Sequence, residues 1–189
     1  MPPALLLIAL LQAAPLAAPP AAPLGAGPAA RIIANPSATA QLQASVSAAC
    51  GLDPQRQFDF LLGRWSLSPS DSLSELAKVN VRRVADGCAL IEEAAPAQGT
   101  SATSLIVYDP GATLWRMVRI SGDGELQTLE GGEQDGRMVL EGETSAPGKS
   151  GLVRLTWTRE GETVRETEDA STDGKIWNPV FSHDLHPMP

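Results

Sequence analysis

Four Asp-Gly pairs divide the C-terminal two-thirds of the chain: Asp86-Gly87, Asp123-Gly124, Asp135-Gly136 and Asp173-Gly174. Asp-Gly between short β-branched runs favours a type I′ turn, because both central residues of that turn take positive φ. Such turns join antiparallel strands directly. Asp109-Pro110-Gly111, Gly131-Gly132, Ala146-Pro147-Gly148 and Glu160-Gly161 add further turn-forming connectors. Between them the apolar period is two, which predicts strands near 64–68, 76–84, 88–94, 102–108, 114–120, 125–130, 137–143, 151–158, 162–168 and 176–184. Ten short strands with almost no helix between them indicate an antiparallel barrel or sandwich rather than βαβ units. An up-and-down barrel has the further merit of leaving no exposed sheet edge. The expected fold is therefore all-β: an antiparallel up-and-down barrel of about ten strands.

The first 50 residues have a different chemistry. They carry one charged side chain, Arg31, and no aromatic residue, whereas all four Trp, all three Phe and the one Tyr lie between Phe58 and Phe181. Ala4 to Leu11 is an apolar run of the length found in the core of a secretion signal. It is shorter than the roughly 20 residues that a membrane-spanning helix needs. Residues 12–36 are rich in Ala, Pro and Gly and show no periodic apolar face. The expected organisation is a signal and leader over 1–36, a short helix or linker over 37–51 starting from a Ser37 cap, and a barrel domain over 52–189. Export, to the periplasm or outside the cell, is expected with it. In an exported chain the two cysteines are expected to form one disulfide, Cys50 to Cys88.

Beyond Arg31 lie 13 of the 14 basic and all 22 acidic residues, a net charge of −9. An acidic surface argues against non-specific binding to nucleic acid or anionic lipid, and no stable membrane insertion is expected once a signal is removed.

Ahead of the first strand, Asp53-Pro54 and the stripe Phe58, Leu61, Leu62 predict a short N-terminal helix that stops at Gly63. The segment Phe58-Asp59-Phe60-Leu61-Leu62-Gly63-Arg64-Trp65 resembles the opening of lipocalins and the wider calycin group. It is closer still to small bacterial lipocalin-like proteins of unknown function that open with Phe-Asp-Phe-Leu-x-Gly-x-Trp. Asp86 to Glu93, Val107-Tyr108-Asp109-Pro110 with Leu114-Trp115-Arg116, and Ser171 to Trp177 fit the same set. The resemblance covers about residues 52–185 and implies a lipocalin-like barrel. It also implies that Gly63 and Trp65 plug one end, with an Arg across the indole face; the predicted last strand has none, so Arg165 on the strand before it is the candidate. It transfers no catalytic residue.

Counting by twos along the last predicted strand places Trp177, Pro179, Phe181, His183 and Leu185 on one side. If that side is the lumen, Trp177, Phe181 and His183 line a ligand cavity; the alternative is that they simply fill it. His183 and His186 fall on opposite faces, which disfavours a metal pair, and haem held by His183 is a remote alternative to no cofactor. Arg82, Arg83, Arg116, Arg119, Arg154 and Arg165 lie inside predicted strands. Arg83 or Arg119 in the lumen can clamp a carboxylate or phosphate. An inward Arg without a ligand needs a buried acid, for which Glu166 and Glu92 are placed. No Gly-x-Ser-x-Gly, Walker A or dinucleotide fingerprint occurs, and no catalytic set is assigned.

The leading expectation is a non-enzymatic binder or carrier of a small apolar or amphipathic molecule. One alternative is an enzyme on a barrel-bound hydrophobic substrate, with His183 moving a proton. Another is an exported interaction module with a filled barrel and an apolar outer patch.

Overall fold

The computed structural model describes residues 50–51, 53–146 and 149–189. The leader over 1–36, and residues 37–49 of the short helix or linker expected over 37–51, lie outside them. Ten antiparallel strands run in chain order: β1 Gly63–Pro69, β2 Ala77–Val84, β3 Ala89–Pro96, β4 Ala102–Asp109, β5 Leu114–Ser121, β6 Leu126–Gln134, β7 Arg137–Ala146, β8 Lys149–Glu160, β9 Thr163–Ser171 and β10 Asn178–Pro187. Each strand pairs with its sequence neighbour, and β1 pairs with β10 through Trp65↔Pro187 to Pro69↔His183, so the sheet closes into an up-and-down barrel.

The turn chemistry explains the meander, though only one Asp-Gly pair forms the tight turn expected of all four. Asp135 and Gly136 alone connect β6 to β7, with φ of 51° and 76°. The other three sit in longer connections: the Cys88 N–H donates to the Ala85 carbonyl around Asp86, whereas Asp123 and Asp173 accept backbone N–H groups with their side chains. Asp173 Oδ1, for example, accepts the backbone N–H groups of Lys175 and Ile176 at 2.9 and 3.0 Å. Those bonds hold the Asp173 carboxyl below its usual range. The backbones of β6 and β7 approach closely at glycine. A Cβ on Gly142 would meet the Thr128 carbonyl oxygen at 2.0 Å, so only glycine allows these backbones to approach so closely.

The predicted helix before β1 is wound as two 3-10 turns, Asp53–Arg56 and Asp59–Leu61. The Leu61 N–H donates to the Phe58 carbonyl at 3.0 Å. This tighter winding stacks residues i and i+3 on one side. Phe58 and Leu61 consequently both point into the barrel end, and neither is exposed. Phe58 meets Trp115 and Trp157 edge-on, with centroids 4.9 and 5.3 Å away. Trp65 Nε1 donates to the Leu61 carbonyl at 2.8 Å, and Trp115 Nε1 to Gln57 Oε1 at 3.0 Å. The indole donors of Trp65 and Trp115 are thus spent on fastening the plug segment.

Cys50 and Cys88 form the expected disulfide, 38 residues apart in sequence, and tie the chain ahead of the plug to the start of β3. In the chain-entropy account a loop of this size is worth about 3–4 kcal/mol. Urea unfolding with and without dithiothreitol should show that loss as a lower midpoint. Coincident curves would mean the bridge adds nothing to stability.

Candidate functional site

The end of the barrel opposite the plug is polar. Two rows of inward side chains meet there, and strand register sets both. Glu92, Ser104, Arg119 and Gln127 are direct cross-strand partners across β3, β4, β5 and β6. On the other wall His183 of β10 lies opposite Glu166 of β9, and Phe181 lies opposite Glu168. The rows join across the lumen at Arg119. Its Nη2 donates to Glu92 Oε1 at 2.9 Å and to Glu166 Oε1 at 3.1 Å, while its Nε donates to Ser104 Oγ at 3.1 Å. Ser104 in turn donates to Glu92 Oε1 at 3.0 Å.

All three charged members are nearly out of solvent: the side chains of Arg119, Glu92 and Glu166 are 14, 4 and 7 % exposed. Burial opposes charge on Arg119, but the attraction of Glu166 and Glu92 outweighs it and holds the guanidinium above its ordinary value. For Glu166 the balance goes the other way. Burial pushes its carboxyl up, Arg119 pulls it back, Glu92 adds to the rise, and the net direction is upward. Burial also raises Glu168. His183 stacks on Phe181 with centroids 4.4 Å apart; burial and then the charge of Arg119 lower its pKa, so the imidazole is neutral at pH 7.

Above this network is a cavity of about 350 Å³. Leu67, Val79, Ala94, Ala102, Val180 and Phe181 supply apolar wall, and the charged rows with Gln127 and Glu125 supply the rest. Among the described residues, no group of three or more His, Cys, Asp or Glu is arranged to hold a metal ion.

Of the five residues expected to line a ligand, Phe181, His183 and Arg119 border this cavity. Two expectations are corrected. Trp177 lies ahead of β10 on the outside of the barrel, under the Arg154 guanidinium at 4.0 Å from the ring centroid. A β-bulge between Pro179 and Phe181 breaks the period-two count that had put it inside, and turns Val180 toward the cavity. Arg83 does point inward, but at the plugged end, where it pairs with Asp59 and donates to the Gly87 carbonyl. A third correction concerns Arg165. Its neighbours Val164 and Glu166 are buried in the lumen, so Arg165 faces out and forks onto Asp184 at 2.9 and 3.2 Å rather than covering Trp65. His186 is likewise on the far face of β10, 3.2 Å from Ser68 Oγ.

Sequence reasoning did not single out Gln127, Glu168, Glu125 or Ser104. The available signal was register: extending the inward series Trp115, Met117, Arg119 across hairpins of known length leads to Ser104 and Gln127. No family model matches this chain, and no curated protein matches it.

Proposed function

We propose that the protein is an exported, lipocalin-like binder of one small amphipathic molecule, held in the open end of the barrel. The observation that carries this reading is the 350 Å³ cavity with apolar walls above a hydrogen-bonded ionic floor. Ligand sites typically combine a concave apolar lining with a few fixed polar groups, and their volumes start near 300 Å³. Buried ion networks cost desolvation, so placing one at the base of a cavity makes more sense as a fixed polar anchor than as packing. The opening segment that resembles lipocalins, and the disulfide, both fit an exported carrier.

Binding of an environment-sensitive apolar fluorophore tests it. Wild-type protein should enhance and blue-shift its emission, and Ala102→Trp, which fills the cavity from β4, should abolish the effect. Absence of any enhancement by wild-type protein would overturn the reading.

A second reading rests on the outer wall. Leu105, Val118, Ile120 and Leu126 are 47, 38, 57 and 42 % exposed, and register places Leu105 beside Val118 and Ile120 beside Leu126. A contiguous apolar patch of this kind supports a protein-docking role. It predicts that Ile120→Glu removes partner capture and leaves fluorophore binding unchanged.

A further inference from the structure

We infer that the open end of the barrel docks, mouth first, on a zwitterionic lipid surface. This goes beyond the binding reading above, because the rim can dock whether or not the cavity is occupied.

The first observation is where the exposed apolar surface lies. Among the described residues, six of the eight large apolar side chains that stand exposed are at the open end, and none is at the plugged end. Leu73 and Leu76 belong to the β1–β2 connection, Ile120 and Leu126 flank the β5–β6 turn, and Ile176 and Val180 lie in and just after the β9–β10 connection. In the closed strand order these connections fall on three sides of the mouth. Leu73 and Ile176, both in loops, are the most exposed of the set at 88 and 68 %. Val180 is 55 % exposed and also lines the cavity, so the apolar rim runs into the lumen. Single exposed apolar residues are common. Their confinement to the rim of one opening is what marks a contact surface.

The second observation is charge, and it decides the partner. The loops of the same three connections carry Asp71, Glu75, Asp123, Glu125 and Asp173 against one cation, Lys175. Two copies set mouth to mouth would bring these acids together, and an anionic bilayer would repel them. A zwitterionic headgroup carries its ammonium outermost, which complements an acidic rim, and the acyl region beneath it takes the apolar side chains. Apolar tips set among polar loop residues match an interface that is polar above and apolar below. An amphipathic molecule of the class proposed for the cavity partitions into that same interface, so docking brings the mouth to its ligand.

Sedimentation of the intact protein with sucrose-loaded vesicles tests the inference. Wild-type protein should pellet with pure phosphatidylcholine vesicles. At low ionic strength it should pellet less with vesicles of equimolar phosphatidylcholine and phosphatidylglycerol. Leu73→Ser combined with Ile176→Ser changes only exposed loop positions. It should weaken the partition by about tenfold or more, the scale of withdrawing two large apolar side chains. Leu105→Ser, on the outer wall away from the rim, should pellet as wild type does. Wild-type protein that stays in the supernatant, or a double variant that pellets equally well, would overturn the inference. Tighter binding to the anionic vesicles, or an equal loss in Leu105→Ser, would overturn it as well. Fluorophore binding by the double variant should match wild type, so loss of the docking reading leaves the binding reading standing.

Discussion

Arg119→Ala should lower stability by about 3–5 kcal/mol, the usual cost of removing one partner from a buried ion network. The reason is what the substitution leaves behind. Glu92 and Glu166 would remain buried without the guanidinium that both contact, and Ser104 would lose the donor at its Oγ. Burial already drives the Glu166 pKa up in the intact protein. Without Arg119 the opposing pull disappears, and the carboxyl rises further. An acid whose folded-state pKa lies above its unfolded value takes up a proton on folding, so stability increases as pH falls through that window and decreases as pH rises. The deficit of Arg119→Ala is thus expected to be largest near pH 8 and to shrink toward pH 5, as urea unfolding at several pH values would show. A triple variant, Arg119→Met with Glu92→Gln and Glu166→Gln, should regain most of the loss, because no isolated charge remains in the lumen. A loss below about 1 kcal/mol that does not vary with pH would mean the network is solvated and carries little energy.

Phe58→Ala should cost about 3–5 kcal/mol, the range for deleting a buried phenyl group. The ring is fully buried and packs against Trp115 and Trp157 at the end of the barrel. Its loss removes two edge-to-face contacts, each worth about 0.5–1.5 kcal/mol beyond area burial. It also leaves a void that the strands cannot close, because their spacing is set by the ladder. Phe58→Leu should fall between the two. Since the plug and the cavity are at opposite ends of the lumen, fluorophore binding by folded Phe58→Ala should match wild type. A Phe58→Ala unfolding midpoint equal to that of wild type would show that the plug segment is not part of the cooperative core.

The two substitutions probe the two halves of one lumen, and they differ in kind. At the plugged end Trp65, Met117, Leu140, Leu155 and Trp157 pack with Phe58 into a dry core. Two residues from Met117, Leu129 and Val164 on their own strands, the inward positions become Arg119, Gln127 and Glu166, with Glu168 next on β9. Val79, Leu67 and Phe181 continue the apolar wall past that change. The barrel is thus packed solid at one end and holds a cavity with mixed apolar and charged walls at the other, which is the arrangement that the proposed binding role needs.

The chain order of turns and period-two runs by itself determined the strand count, the antiparallel meander and most strand limits. Those are local properties: a Gly with positive φ and an alternating pattern act within a few residues. The pairing of Cys50 with Cys88 was legible for a different reason, since two cysteines have only one intramolecular partner each. The register across non-adjacent strands, and with it the site, was decided only by the tertiary structure. Arg83 and Arg119 are alike in sequence terms, each inward on a predicted strand, yet one pins the plug to Asp59 and the other holds the network at the open end. Their fates separate because height along the barrel axis depends on strand tilt and closure, which no single hairpin reports. Trp177 was misplaced for a related reason. One extra residue in the bulge after Pro179 reverses the phase of everything before it, and alternation counted from sequence has no means of sensing that insertion.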